Sequence, residues 1–203
     1  MDVSLLPLLG FAFAASVTPG PNNALVAANA AANGVRATVP HMLGIGAGFA
    51  LMIVLVGLGL ASVLAAHPAV AGAMRWGSLA WLVWLAWKIA SAPMGGAPMG
   101  IAAAPGLRFG FGQAVLFQWI NPKAWLLALS IAATWVRPDA PAVLQLAAIG
   151  AVFFVVGPPC NLPWALLGAG AARLLGHGAR MRAFNIAMAV LLVVSMLPIA
   201  LAG

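Results

Sequence analysis

Long apolar runs, separated by short clusters of glycine, proline, asparagine and single charges, divide the chain into six segments, about 5–30, 38–64, 70–89, 109–135, 142–172 and 183–201. About 20 apolar residues in helical form cross the hydrocarbon core of a bilayer. The pattern therefore predicts an all-α integral membrane protein with six transmembrane helices. Three of these segments carry an interruption that a regular helix does not accept. The first holds Thr18-Pro19-Gly20-Pro21-Asn22-Asn23, the fourth Asn121-Pro122-Lys123, and the fifth Gly157-Pro158-Pro159-Cys160-Asn161. Proline lacks the N–H and clashes with the preceding turn, so helices 1, 4 and 5 are expected to be broken.

Composition supports the membrane reading. Of 203 residues, 65% are hydrophobic and 5% charged, and the mean hydropathy is +1.10. A soluble surface needs far more charge. The net charge of +7 comes from nine Lys and Arg against two acidic residues, Asp2 and Asp139. The basic residues are scattered singly, which argues against a nucleic-acid partner. They mark loops in contact with lipid headgroups instead. Cys160 is the single cysteine, which excludes a disulfide framework and a cysteine-based metal site. His41 and His67 lie near loop ends with no carboxylate or cysteine beside them, so each reads as a solvated or capping histidine and not as a ligand. No metal or other cofactor is expected. The N-terminus has no basic leader pattern and reads as the first span.

The candidate chemistry lies in the breaks. Lys123 sits near the middle of an apolar segment, where a charge costs about 2.5–3.5 kcal/mol on insertion scales. The bland alternative is that the lysine snorkels to the headgroups, but about a dozen mostly apolar residues lie on either side of it. In the first segment, a half-helix restarting with Thr18 as its cap and Pro19 in its first turn, or a little later with Asn22 as its cap, leaves backbone N–H groups free at depth. A positive helix end of this kind welcomes an anion. Thr18, Pro19, Gly20, Pro21, Asn22, Asn23, Asn121, Pro122 and Lys123 are therefore the candidate substrate-binding residues. The break at 157–161 reads as a gate, a second wall of the cavity, or a rigid kink. Trp81 and Trp84 could line a pathway, although packing or lipid contact is the simpler reading. Gly44 and Gly48 form a small-xxx-small pair, which would bring a helix close either within the chain or across a homodimer.

Lys and Arg are unequally shared between the two sides. Arg36, Lys88, Arg108, Arg173, Arg180 and Arg182 fall on one side, and Arg75 and Arg137 on the other. The positive-inside rule puts the first group in the cytoplasm and both termini outside. Pro21 and Pro122 are 122 − 21 = 101 positions apart, about half the chain. Three spans per half would insert the second half upside down. Broken helices at matching positions of two inverted repeats point to a midplane transport site. The chain thus reads as a single transmembrane domain over 1–203, with repeat 1 at about 1–90, a loop at 91–108 and repeat 2 at about 109–203.

These features together resemble the LysE/RhtB family of amino-acid exporters. The resemblance is carried by the Thr18–Asn23 run followed by Gly34-Val35-Arg36, by Gly77-Ser78-Leu79-Ala80-Trp81-Leu82 through Trp87-Lys88, and by Phe109-Gly110-Phe111 leading to Asn121-Pro122-Lys123-Ala124. It implies a six-span exporter of amino acids or close derivatives in the bacterial inner membrane, typically driven by the proton gradient. The chain departs from the family in having Trp81 where a tyrosine is usual, and in its Pro158-Pro159 break.

The mechanism this suggests is alternating access. Lys123 would offer a point charge to a substrate carboxylate, helped by N–H groups after the first break. Asn22, Asn23 and Asn121 would hold the α-amino group. No Asp or Glu lies in any span, so a second positive charge on the substrate would lack a counter-ion. Neutral amino acids are expected. If Lys123 carried the proton, proton and substrate carboxylate would bind together, which is symport and leaves antiport unexplained. The competing readings are an exporter of metal cations or other small ions and a non-transporting scaffold. An intramembrane enzyme would need a nucleophile with its base or a carboxylate pair, and the isolated serines supply neither.

Overall fold

The computed structural model describes residues 5–91, 109–176 and 178–197. Asp2, Arg108, His177, nearly all of the expected 91–108 loop and the end of the sixth segment lie outside the described residues. Those described form helices and no strand: α1 (Leu5–Val17), α2 (Pro21–Asn33), α3 (Val35–Leu55), α4 (Ala61–Ala66), α5 (Pro68–Ala90), α6 (Phe111–Phe117), α7 (Pro122–Trp135), α8 (Ala142–Leu175) and α9 (Ala179–Val194). A π turn over Val56–Leu60 joins α3 to α4, and a 3₁₀ turn over Gln118–Ile120 extends α6. Among the described residues, three stretches are long and apolar enough to cross a membrane: Val35–Ala66, Pro68–Ala90 and Ala142–Leu175.

The first and fourth segments consist of two pieces each. In both, a proline opens the second piece, where its missing N–H would have had no helical partner and its fixed φ suits the first turn. Pro21 follows Gly20 at the start of α2, and Pro122 follows Asn121 at the start of α7. Asn121 is a true N-cap: its side-chain oxygen accepts the Lys123 N–H at 3.1 Å, one of the donors a helix start leaves without a partner.

The fifth segment corrects the sequence expectation. The run Gly157-Pro158-Pro159-Cys160-Asn161 does not break the helix, and α8 continues through it for 34 residues. At 1.5 Å per residue this is about 51 Å, well beyond a hydrocarbon core. The prolines remove individual backbone bonds, but packing holds the backbone in place around them. Pro158 and Phe154 lie against Gly46 of α3. Conversely, the second segment has a break that its composition did not announce. Gly59 has φ 122° and ψ −2°, a conformation only glycine adopts readily, and it separates α3 from α4.

Close backbone approaches hold the bundle together, with α8 and α3 at its centre. Gly150 of α8 faces Ala50 of α3, and Gly168 of α8 meets the Ala27 carbonyl of α2. Gly44 and Gly48 face Phe111 and Val115 of α6. Of the two uses open to this small-residue pair, the structure shows packing within the chain. α5 packs on α9. Two main apolar clusters result. One gathers Leu25, Leu82, Leu85, Phe117 and Leu192. The other gathers Leu8, Met52, Ile53, Ile131, Ile149 and Phe153. Trp76 and Trp87 are exposed on the outside of α5, as expected for interfacial or lipid-facing rings, and Trp81 packs on Phe117 at 5.5 Å.

Candidate functional site

The two broken segments meet at their breaks. Lys123 extends from the first turn of α7 to the chain between α1 and α2. Its Nζ donates to the Thr18 carbonyl at 2.9 Å and to the Pro19 carbonyl at 3.4 Å. A helix end leaves its last carbonyls without partners, and a cation is the favourable group to place there. An ammonium has three hydrogens, so one remains beyond these two bonds. Gly20 makes room for this side chain. Its φ of 177° is ordinary extended backbone, so the requirement is spatial: a Cβ here would lie 2.9 Å from Lys123 Cδ.

Asn22 makes the reciprocal contact. Its amide donates to Gln118 Oε1 at 3.0 Å and accepts from Gln118 Nε2 at 3.2 Å. Thus each half-helix start sends its second residue across to the stretch preceding the other start. Asn22 and Lys123 are themselves 123 − 22 = 101 positions apart.

α8 completes the site. Asn23 Nδ2 donates to the Ser16 and Thr18 carbonyls at 3.1 and 2.8 Å. Carbonyls only accept, so this fixes the Asn23 amide with its oxygen facing α8. Asn161 Nδ2 donates to that oxygen at 2.7 Å, which in turn fixes the Asn161 amide. Asn161 Oδ1 is then left buried without a hydrogen-bond partner among the described residues. Such an acceptor is costly unless something else binds it. Trp164, one turn on, donates to the Val17 carbonyl at 3.2 Å, so α8 also closes the end of α1.

These side chains surround a small cavity of about 60 Å³, lined by Ser16, Gly20, Asn22, Asn23, Gln118, Asn121, Lys123 and Asn161, with Phe49 and Phe153 among its apolar walls. Of the sequence-predicted residues, Gly20, Asn22, Asn23, Asn121 and Lys123 line it. Thr18 and Pro19 contribute carbonyls, and the Thr18 hydroxyl turns back to the Ala14 carbonyl. Pro21 and Pro122 act as helix starters. Gln118 and Asn161 are the members that sequence reasoning did not select. The available signal was an amide side chain inside an apolar run, since a buried amide must find partners. The cavity wall has no carboxylate. Asp139, in the turn before α8, pairs with Arg137 at 2.7 Å, and that guanidinium holds its carboxyl below the usual range.

His41 corrects another expectation. It is neither solvated nor a cap, but fully buried in α3, with Nδ1 3.2 Å from Asn29 Nδ2. His67 does lie exposed at the start of α5, its Nδ1 2.8 Å from the Val63 carbonyl.

A family model described as LysE type translocator matches residues 13–201. The chain belongs to this family. The match includes both half-helix starts and the whole of α8. The chain is 32% identical over 179 residues, 88% of each chain, to the cysteine/O-acetylserine efflux protein of Escherichia coli (strain K12). It is 33% identical over the same span to the protein of that description from Salmonella typhi. No solved structure matches.

Proposed function

We propose that the chain exports neutral amino acids or close derivatives, of the size of cysteine or O-acetylserine, by alternating access around the cavity between the two half-helix starts. The chain would form one transmembrane domain in a bacterial inner membrane, built as two inverted repeats of about 1–90 and 109–203 with both termini outside. It acts as a secondary transporter and not as an enzyme. Family membership supports amino-acid export, and the two curated relatives are named for efflux of such molecules. The observation that carries the site is the polarity of the cavity wall. One ammonium with an uncommitted hydrogen shares this wall with one buried amide oxygen that has no partner among the described residues.

A zwitterion fits this pair. Its carboxylate approaches Lys123 Nζ and the start of α2, which has no side-chain cap; helix N-termini attract anions. Its ammonium approaches Asn161 Oδ1. Asn121 is not available for the amino group, because its oxygen caps α7. Asn22 and Asn23 already spend their oxygens on Gln118 and Asn161. With no carboxylate in the wall, a second cation on the substrate goes unpaired, and that selects against basic amino acids.

The test is efflux from cells preloaded with dipeptides, comparing the intact protein with Lys123→Met at matched membrane abundance. Faster exit of one or a few neutral amino acids, lost in the variant, is the expected result. Equal export by both proteins would remove Lys123 from the site. No export by either would return the ion-exporter and scaffold readings.

A further inference from the structure

A second polar knot, which the substrate site does not use, lies farther along α2, about two turns beyond Asn22. Asn29 of α2 donates through Nδ2 to the Phe109 carbonyl just ahead of α6, at 3.0 Å, and lies against His41 Nδ1 of α3 at 3.2 Å. Its oxygen accepts from Asn33 Nδ2 at 2.8 Å. These three elements share no chain continuity at the knot, apart from the tight turn at Gly34, φ 81°, that joins α2 to α3. α2 and α6 are thereby tied at both ends, at the cavity by Asn22 and Gln118 and at the far end by Asn29 and Phe109. Parting α2 from α6 at that end would break the Asn29 bond.

The partners fix the protonation state of the ring. The Phe109 carbonyl can only accept, and Asn33 engages the Asn29 oxygen, so the two hydrogens of Asn29 Nδ2 point to Phe109 and to His41 Nδ1. Nδ1 is therefore an acceptor and the ring is neutral, with its hydrogen on Nε2. Nε2 is buried and has no partner among the described residues. A proton arriving at Nδ1 would set two donors against each other. The Asn29 amide would then have to turn, losing both Phe109 and Asn33, or α2 would have to leave. Among the described residues no acid is recorded in contact with the ring inside the knot. Its neighbours from α2 are Asn29 and Asn33, and Phe109 contacts it at 5.3 Å. Arg36 lies five positions back on the same helix, and Lys88 of α5 is held over Trp84 and Trp87.

We propose that His41 is the proton-carrying residue of transport, and that its protonation releases the Asn29–Phe109 bond and opens the cavity from this end. The proposal rests on the transport reading and deepens it. It gives the proton a site separate from Lys123, so proton and substrate need not bind together. On the charge distribution this end faces the cytoplasm, where loss of the proton would let the knot close over a bound amino acid. That is the sense of antiport.

The experiment uses the full chain with Cys160→Ser, spin-labelled at Ala32→Cys and Gly112→Cys before any pH change, in liposomes. Distances are compared at about pH 8 and about pH 5.5, which bracket an ordinary histidine. A longer-distance population is expected at the lower pH with His41 present, and none at either pH in His41→Gln. Asn29→Ala leaves the ring in place and removes the tie, so the long population is expected at both pH values. In the same liposomes, O-acetylserine transport by the intact chain should change about tenfold between these pH values, and this dependence should vanish in His41→Gln. An unchanged distance in the intact chain, or a pH response that survives in His41→Gln, overturns the proposal. If the intact chain moves no amino acid yet shows the His41-dependent distance change, the transport reading fails and the latch stands.

Discussion

At the scale of the residue, the site is decided by which polar atoms are already committed. Lys123 spends two donors on the carbonyls that end the first half-segment, so its role is double: it stabilises a break and presents charge to the cavity. Gly20→Ala places a methyl group against Lys123 Cδ. The expected outcome is a folded protein with reduced export, seen as a normal melting temperature beside a lower efflux rate. Asn161→Leu removes the free amide oxygen and should raise KM by roughly ten- to a hundredfold, about 1–3 kcal/mol for an unpaired polar group, with abundance near normal. Asn161→Asp would put a carboxylate opposite the substrate ammonium. It is expected to admit basic amino acids, which a competition assay with lysine would detect. Asn121→Ala should cost about 1 kcal/mol through loss of the cap, measured as a lower thermal midpoint. The break at Pro122 and the charge beside it in the fourth segment were legible in sequence, because proline and charge are both costly there. Asn161 and Gln118 were not selected, because a lone amide carries no mark of which partner it finds.

At the scale of the element, proline gave a partly misleading signal. Pro21 and Pro122 begin helices, whereas Pro158, Pro159 and Pro163 lie inside one. Locally the residues are the same; the difference lies in what surrounds them. Gly20 and Asn121 precede the first pair with extended backbone, and α3 packs against Pro158 of the second group. Pro158→Ala is therefore expected to keep export and to leave stability unchanged or slightly raised. A complete loss of export with normal abundance would restore the gate reading of this stretch. Glycines gave the opposite kind of signal. Gly168→Leu would drive a side chain into the Ala27 carbonyl and is expected to destabilise the fold by about 1–3 kcal/mol or more, as overpacking does. Gel filtration of the detergent-solubilised protein would show loss of the monodisperse species.

At the scale of the whole molecule, the two half-helix starts cross-brace each other, α3 packs on α8, and α5 packs on α9. This reciprocity supports the inverted-repeat proposal. Reporters inserted at His67 and at Gly178 are expected to read opposite sides of the membrane, the first outside and the second inside. The sequence by itself determined the membrane class, the helical character of the segments and the presence of a break in the first and in the fourth. These follow from hydropathy, from the rule that backbone polar groups in lipid must be satisfied within the segment, and from the missing N–H of proline. Only the tertiary structure decided that α8 stays continuous, that Gly44 and Gly48 face α6, that His41 is buried in a knot, and that Asn161 keeps the free acceptor. Each of these depends on which atom of a distant element takes up a given hydrogen bond or a given space, and neither periodicity nor composition encodes that pairing.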